Sequence, residues 1–303
     1  MTLHTQYSGK GTAESAFSKL GRGMVIANLM EDGTPRWNIG TAVENSSFAQ
    51  QVLLGHDDCS IPAHVYTDLN AMVAPGVLQE MCSVLAPPAA SRESKVQAYE
   101  AMGRALCRDL ANTFAETCPC VRHPGGGCVL RPLLSPGSCN DDNALQLWIA
   151  GTSCVNFSKL GCREGTAGDA MRPLKIWGAL VNAARPHIVI HEIVPSADAE
   201  DMLAREIGDF YKVHCLKINP LDLGYPCDRM RQISICVRRD GMHFVDPGLD
   251  LFIHVFKKRV VLPGSALWEC PSSYTNKIMR GKAASQGYFF PEGQDVAWFP
   301  NQS

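Results

Sequence analysis

The sequence predicts an α/β protein built on a doubly wound, mainly parallel seven-stranded sheet. Three observations carry that expectation. Seven short apolar runs read as strands, stretches with helical spacing follow several of them, and the runs are apolar enough to be covered on both faces. A long insertion and a small irregular C-terminal region complete the expected architecture.

The strand-like runs are LHTQY (3–7), WNIGTAV (37–43), HVYTD (64–68), LQLWIAG (145–151), HIVIHEI (187–193), YKVHCLKI (211–218) and RQISICVRR (231–239). Apolar residues recur at helical spacing over 12–30, 170–184 and 197–211. Residues 87–143 interrupt this alternation. Apart from a helix over about 93–115, they are rich in Pro, Gly and Cys and read as an insertion or long loop in the sheet topology. Residues 240–303 have no helical period and many Gly, Pro and aromatic residues. The expected division is therefore a catalytic or binding domain over 1–239 and a short appendage over 240–303.

At 303 residues, with 46% hydrophobic and 19% charged residues, the composition is that of a globular protein. No apolar run reaches 18 residues, so no transmembrane helix is expected. MTLHTQYSGKG lacks the regions of a signal peptide. The expectation is an intracellular protein, nuclear in a eukaryote and in the cytoplasm or nucleoid of a prokaryote. Its 13 cysteines are then mostly reduced thiols. A formal net charge of −2 argues against non-specific coating of nucleic acid but leaves room for a local basic face. Cys118, Cys120, His123 and Cys128 are possible soft zinc ligands. Because structural zinc sites favour C-x(2–4)-C and C-x-C fits them poorly, no metal is expected.

In parallel sheets ligands sit beyond the carboxyl ends of the strands. After the first run comes YSGKGTAESAF, with Gly9 and Gly11 before a helix. That is a phosphate- or carboxylate-binding turn or a plain strand-to-helix turn. The second run ends at Glu44, suited to the hydroxyls of a ribose or simply a solvated charge. The third ends at Asp68, suited to an amino group or serving as a helix cap or turn residue. The fourth leads into GTSCVNFSKLG with Cys154, a nucleophile or an inert buried thiol. The fifth carries Glu192 against the apolar IVIH, where a carboxyl needs a partner or a function. Arg229 and Arg231 alternate ahead of the last run, as anion ligands or as a solvated face.

In this order the motifs resemble the cytosine-C5 DNA methyltransferases. YSGKGTAESAF looks like their F-x-G-x-G-G motif, GTSCVNFSKLGCREG their P-P-C-Q-x-F-S loop, and Asp169 and Arg172 in GDAMRPL the Asp and Arg that follow. HIVIHEIV corresponds to their E-N-V motif. LKINPLDLGYPCDRMRQISICV is similar to the long signature ending in G-x-P-Q-x-R-x-R, with Asn219, Gly224, Pro226, Arg229 and Arg231 as landmarks. The resemblance covers roughly 1–70 and 144–239. It implies a Rossmann-like methyltransferase fold and S-adenosylmethionine held by Tyr7, Ser8, Gly9, Gly11, Thr12, Glu44, Asp68 and Leu69. It further implies a flipped cytosine attacked at C6 by the Cys154 thiolate, protonated at N3 by Glu192 and steadied by Arg229 and Arg231. Double-stranded DNA is the expected partner, RNA the alternative, and the chain a monomer. Thr152 and Ser153 replace the two family prolines, Val155 the Gln, Ile193 the Asn of E-N-V, Cys227 a Gln, and Thr12 a Gly. No counterpart of the C-terminal G-N motif is found. Those losses keep a second reading open, a degenerate relative that binds cofactor or nucleic acid without catalysis.

Overall fold

The structure, a computed structural model, describes residues 1–7, 13–18, 20, 38–55, 61–85, 87, 90–130, 134, 145–152, 155–157, 163–195, 199–223 and 228–240. The chain divides into two compact units. One comprises Met1–Leu216 and Gln232–Val245, the other Lys217–Arg231 and Asp246–Ser303.

The strands are β1 (Thr2–Gln6), β2 (Asn38–Val43), β3 (His64–Tyr66), β4 (Thr117–Pro119), β5 (Gly127–Val129), β6 (Gln146–Gly151), β7 (Ile188–Ile193), β8 (Tyr211–Ile218) and β9 (Arg231–Arg238). The helices are α1 (13–18), α2 (Ser47–Leu54), α3 (Pro75–Val84), α4 (Arg92–Arg108), α5 (Leu110–Thr113), α6 (Met171–Ala184) and α7 (Ala199–Ile207). Seven strands form one sheet in the order β3-β2-β1-β6-β7-β9-β8. β1, β2, β3, β6 and β7 run parallel, and β9 pairs antiparallel with β7. This is the expected doubly wound α/β fold, and each expected strand is found within two residues of its predicted ends.

The central strands are buried because the sheet is covered on both faces. All five residues of β1 are buried, Thr and His included. The largest shared core joins Trp148 of β6, Trp177 and Leu180 of α6, Met102 and Leu106 of α4, and Met202 and Leu203 of α7. Fully burying such a side chain contributes about 1.5–3 kcal/mol. α6 ends at Arg185, a non-glycine residue in the left-handed region (φ 49°), whose N–H donates to the Val181 carbonyl at 2.8 Å. Its guanidinium lies 4.0 Å over the Phe210 ring, a contact that offsets the backbone cost.

One charged group lies inside this helical layer. Lys175 of α6 is 2% exposed and its ammonium donates to Glu206 of α7 and to Glu100 of α4 at 3.0 Å. The Glu206 side chain is 10% exposed and the Glu100 side chain 38%. Burial pushes the Glu206 carboxyl above its ordinary range, against the pull of Lys175.

The segment read as an insertion is part of the body. α4 buries Ala98, Tyr99, Met102 and Leu106 in the main core. Beyond it, β4 and β5 form an antiparallel hairpin. Cys120 makes an antiparallel bridge to Tyr66, and the Val121 N–H donates to the Val65 carbonyl at 2.8 Å. The hairpin end thus lies along β3, the edge strand of the main sheet. Among the described residues, no helix is long and apolar enough to cross a membrane.

Candidate functional site

Parallel pairing brings five strand ends to one rim. Gln6 is level with Val43 on one side and Ala150 on the other, Val43 with Tyr66, and Gly151 with Glu192. Chain order reverses between β1 and β6, so this rim is a topological switch point, where open α/β sheets bind ligands. Tyr7, Glu44, Asp68, Thr152 and Glu192 all lie on it. Ser8, Gly9, Gly11, Thr12 and Cys154 lie outside the described residues.

Three residues define the β1–β3 half. Tyr7 leaves β1 with φ 58° while its N–H donates to the Val43 carbonyl at 2.9 Å. Its hydroxyl is buried and has no hydrogen-bond partner among the described residues. Burial first, and the charge of Asp68 second, push the phenol pKa well above its ordinary value. Glu44 is 8% exposed. Its Oε1 accepts from the Ser46 N–H at 2.8 Å, its N–H donates to the Tyr66 carbonyl at 3.1 Å, and its carbonyl accepts from Gln50 Nε2 at 2.6 Å. α2, capped by the Ser46 hydroxyl, therefore fixes the direction of the carboxylate.

Asp68 closes a local turn with Asn70 and does not cap the short helix that follows. Its Oδ1 accepts from the Asn70 N–H at 3.1 Å, and Asn70 Nδ2 reaches both carboxylate oxygens at 2.9 Å. Leu69 is 3% exposed, with its side chain in the main core. Any ligand contact from Leu69 is therefore a backbone contact. A buried acid aimed by a helix, a second acid held by its own turn and an unpartnered phenol fit a nucleoside-bearing cofactor such as S-adenosylmethionine.

The β6–β7 half holds the catalytic candidates. Glu192 faces its register partner Gly151 so closely that a Cβ placed on Gly151 would lie 3.3 Å from Oε2. The acid thus lies over bare strand backbone. Thr152 was expected only as a replaced proline, yet its hydroxyl is 2.8 Å from Nε2 of His191, on the strand that carries Glu192. His191 is fully buried and contacts the Trp177 ring at 5.2 Å. Burial brings its pKa down to about 4, so the imidazole is neutral at pH 7. The pair ties the start of the Cys154 loop to β7. No motif signalled it, because its partners lie on different strands.

The other side of that loop is also held. The Asn156 carbonyl accepts from the Gly165 N–H at 2.9 Å. The Asn156 side chain is buried against Gly168, where an added Cβ would meet it at 2.3 Å. Asp169 Oδ1 accepts from the Tyr99 hydroxyl at 3.0 Å, and burial followed by that bond pushes the Tyr99 pKa up to about 12. Tyr99 belongs to α4, so the segment read as an insertion supports the site. Ile193, at the position of the family Asn, is 1% exposed and belongs to the core.

In the second unit, Asn219 organises the turn that carries the arginines. Its Oδ1 accepts from the N–H groups of Leu221 and Arg229, both at 3.2 Å, and its Nδ2 donates to Asp228 at 2.7 Å. Arg229 is exposed and precedes β9, so strand alternation does not set its direction. Arg231 opens β9 and donates through Nη1 to the Met230 carbonyl at 2.9 Å. Gly224, Pro226 and Cys227 lie outside the described residues.

A cavity of about 780 Å³ is lined by Leu110, Phe114, Thr117, Val129, Asn182 and Arg185, from α5, the β4–β5 hairpin and the end of α6.

No protein-family model matches the chain, and no curated protein matches it. Among solved structures it is similar to a putative DNA modification methyltransferase encoded within an E. coli prophage. Identity is 14% and the TM-score 0.45, covering 89% of this chain and 55% of that one. It is also similar to the S. pombe Dnmt2 methyltransferase, at 12% identity and TM-score 0.41, covering 86% and 56%. A third is the Entamoeba histolytica methyltransferase EhMeth, at 10% identity and TM-score 0.41, covering 92% and 66%. The chain spans about half the length of the first two.

Proposed function

We propose that the chain is an S-adenosylmethionine-dependent (cytosine-5)-methyltransferase acting on a cytosine flipped out of duplex DNA. The observation that carries the reading is the β6–β7 register. It sets the acid Glu192 beside the strand end from which the Cys154 loop departs, with Thr152 and His191 joining the two.

S-adenosylmethionine supplies an electrophilic methyl group when bound. Tyr7, Glu44 and Asp68 hold it at the β1–β3 half of the rim. Glu192 donates its proton to N3 of the cytosine, which makes C6 electrophilic. The Cys154 thiolate forms a bond to C6 as the ring electron pair becomes available at C5. C5 would take the methyl group as the sulfonium cofactor leaves as the neutral thioether S-adenosylhomocysteine, and C5 would then give its proton to a water acting as base. The Sγ–C6 bond breaks, the thiolate is restored and the N3 proton returns to Glu192. Arg229 and Arg231 steady the base or an adjacent phosphate. The protein works as a monomer.

Covalent trapping tests this. The protein is mixed with S-adenosylmethionine and duplexes of varied sequence carrying 5-fluorocytosine, with RNA counterparts alongside, and run on a denaturing gel. Fluorine cannot leave C5 as a proton does, so the adduct persists. The expected result is a shifted DNA band that vanishes in Cys154→Ser. A shift with RNA alone would replace the substrate. No adduct, from folded protein that binds S-adenosylmethionine, would leave the non-catalytic relative as the reading.

A further inference from the structure

We propose that His64, Cys120, His123 and Cys128 form a Cys2His2 zinc site that fastens the β4–β5 hairpin to the edge strand β3. The four residues each offer one ligand atom, and these atoms all lie within 4.8 Å of one another. Cys120 Sγ is 3.4 Å from His123 Nδ1, and Cys128 Sγ is 3.3 Å from the same nitrogen. A tetrahedral ion with Zn–S about 2.3 Å and Zn–N about 2.0–2.1 Å holds its sulfur and nitrogen ligands about 3.5 Å apart. The observed separations match that spacing.

The donor set points to the metal. Two thiolates with two imidazoles in a closed group of four suit structural zinc, whereas calcium and magnesium take oxygen. His64 supplies an independent observation: its Nδ1 is buried and has no hydrogen-bond partner among the described residues. Its ring stacks on Tyr66 at 5.8 Å and meets the His123 ring at 5.1 Å, tilted by 55°. The aromatic neighbour and the second imidazole hold it toward the two thiols.

This set differs from the four residues that the sequence singled out. Cys118 is buried, with its Sγ directed to the Pro119 carbonyl at 3.8 Å, and is not in the group. His64 takes the fourth place from far upstream, which removes the objection to C-x-C spacing. The local part of the site becomes C-x2-H-x4-C, from Cys120 through His123 to Cys128.

The placement gives the ion a structural task. β3 has three residues and lies at the sheet edge, where strands are exposed to wrong pairing. The hairpin meets it through the Tyr66–Cys120 bridge, the Val121–Val65 bond and a Tyr66 hydroxyl bond to the Val129 carbonyl at 3.3 Å. An ion at this junction would lock a strand that leads directly to Asp68. Its binding energy would then be folding energy for this corner of the sheet. The inference stands independently of the proposed enzymatic activity.

The test uses the full chain, purified without chelators or a metal-binding tag. Elemental analysis should give about one zinc per chain. Replacement by cobalt should give the thiolate charge-transfer absorption and the intense ligand-field bands of a tetrahedral site. The double variant His123→Gln, Cys128→Ser changes one exposed and one half-buried side chain and no fully buried one. It should fold by circular dichroism and lose the zinc. Cys82→Ser, Cys107→Ser alters exposed thiols elsewhere and should keep it. Folded protein that takes up no zinc on dialysis, zinc retained by the hairpin double variant, or a Cys120–Cys128 disulfide in the purified reduced-handled protein would each overturn the proposal.

Discussion

Replacing Lys175 with Met isolates the buried ion group of the helical layer. Lys175 and Glu206 are 2% and 10% exposed, while the second acid, Glu100, is 38% exposed and recovers solvation readily. In the variant Glu206 keeps its burial and loses its main counter-charge. Breaking a buried pair from one side costs about 3–5 kcal/mol, and replacing both partners by apolar groups is often neutral or better. The sign with pH follows from Glu206. Its folded pKa is already raised by burial, and removing the ammonium raises it further. Protonation therefore relieves the variant, so its deficit relative to the parent is largest at pH 7 and shrinks as pH falls toward the unfolded value of about 4.5. Urea unfolding of both proteins at pH 7 and pH 5 measures this. Lys175→Met, Glu206→Leu should recover most of the loss at pH 7. A deficit below about 1 kcal/mol at pH 7, or one that is the same at both pH values, would refute the reasoning.

Two further expectations concern the rim. Gly151→Ala places a methyl group about where Glu192 Oε2 now approaches, so the carboxyl must shift by a few tenths of an ångström. kcat should fall about tenfold while cofactor affinity and stability change little, and an unchanged kcat would remove Glu192 from the chemistry. Tyr7→Phe deletes a buried hydroxyl without a partner among the described residues. The cofactor-free protein should gain about 1 kcal/mol in chemical denaturation, and S-adenosylmethionine should bind several-fold more weakly by calorimetry. A loss of stability instead would mean that the hydroxyl is bonded within the protein.

The strands were legible because a sheet covered on both faces writes itself as short apolar runs, and β8 was read with its observed limits. The short amphipathic helices were harder. α2 carries a Ser46 cap and α3 a proline in its first turn, signals that were present but brief. Within 87–143 the helix expected over about 93–115 is found as α4, but the packing of its buried face against α6 was not legible amid the Pro, Gly and Cys around it. At the site, residue types at strand ends were readable, since a parallel sheet brings them to one rim. Their partners were not. Thr152 reaching His191 and His64 meeting the hairpin depend on contacts between elements, which spacing along the chain does not encode.

The Gly151–Glu192 register also bears on how the site answers a disturbance of its neighbouring strands. The acid belongs to a strand whose alignment is shared with β6 on one side and β9 on the other, and a slip by one residue would turn its whole face over. The position of Glu192 is therefore set by the sheet as a whole. Thr152 is tied to the same strand through its contact with His191. A disturbance of β6 or β9 would therefore reach the acid and the strand end beside it together.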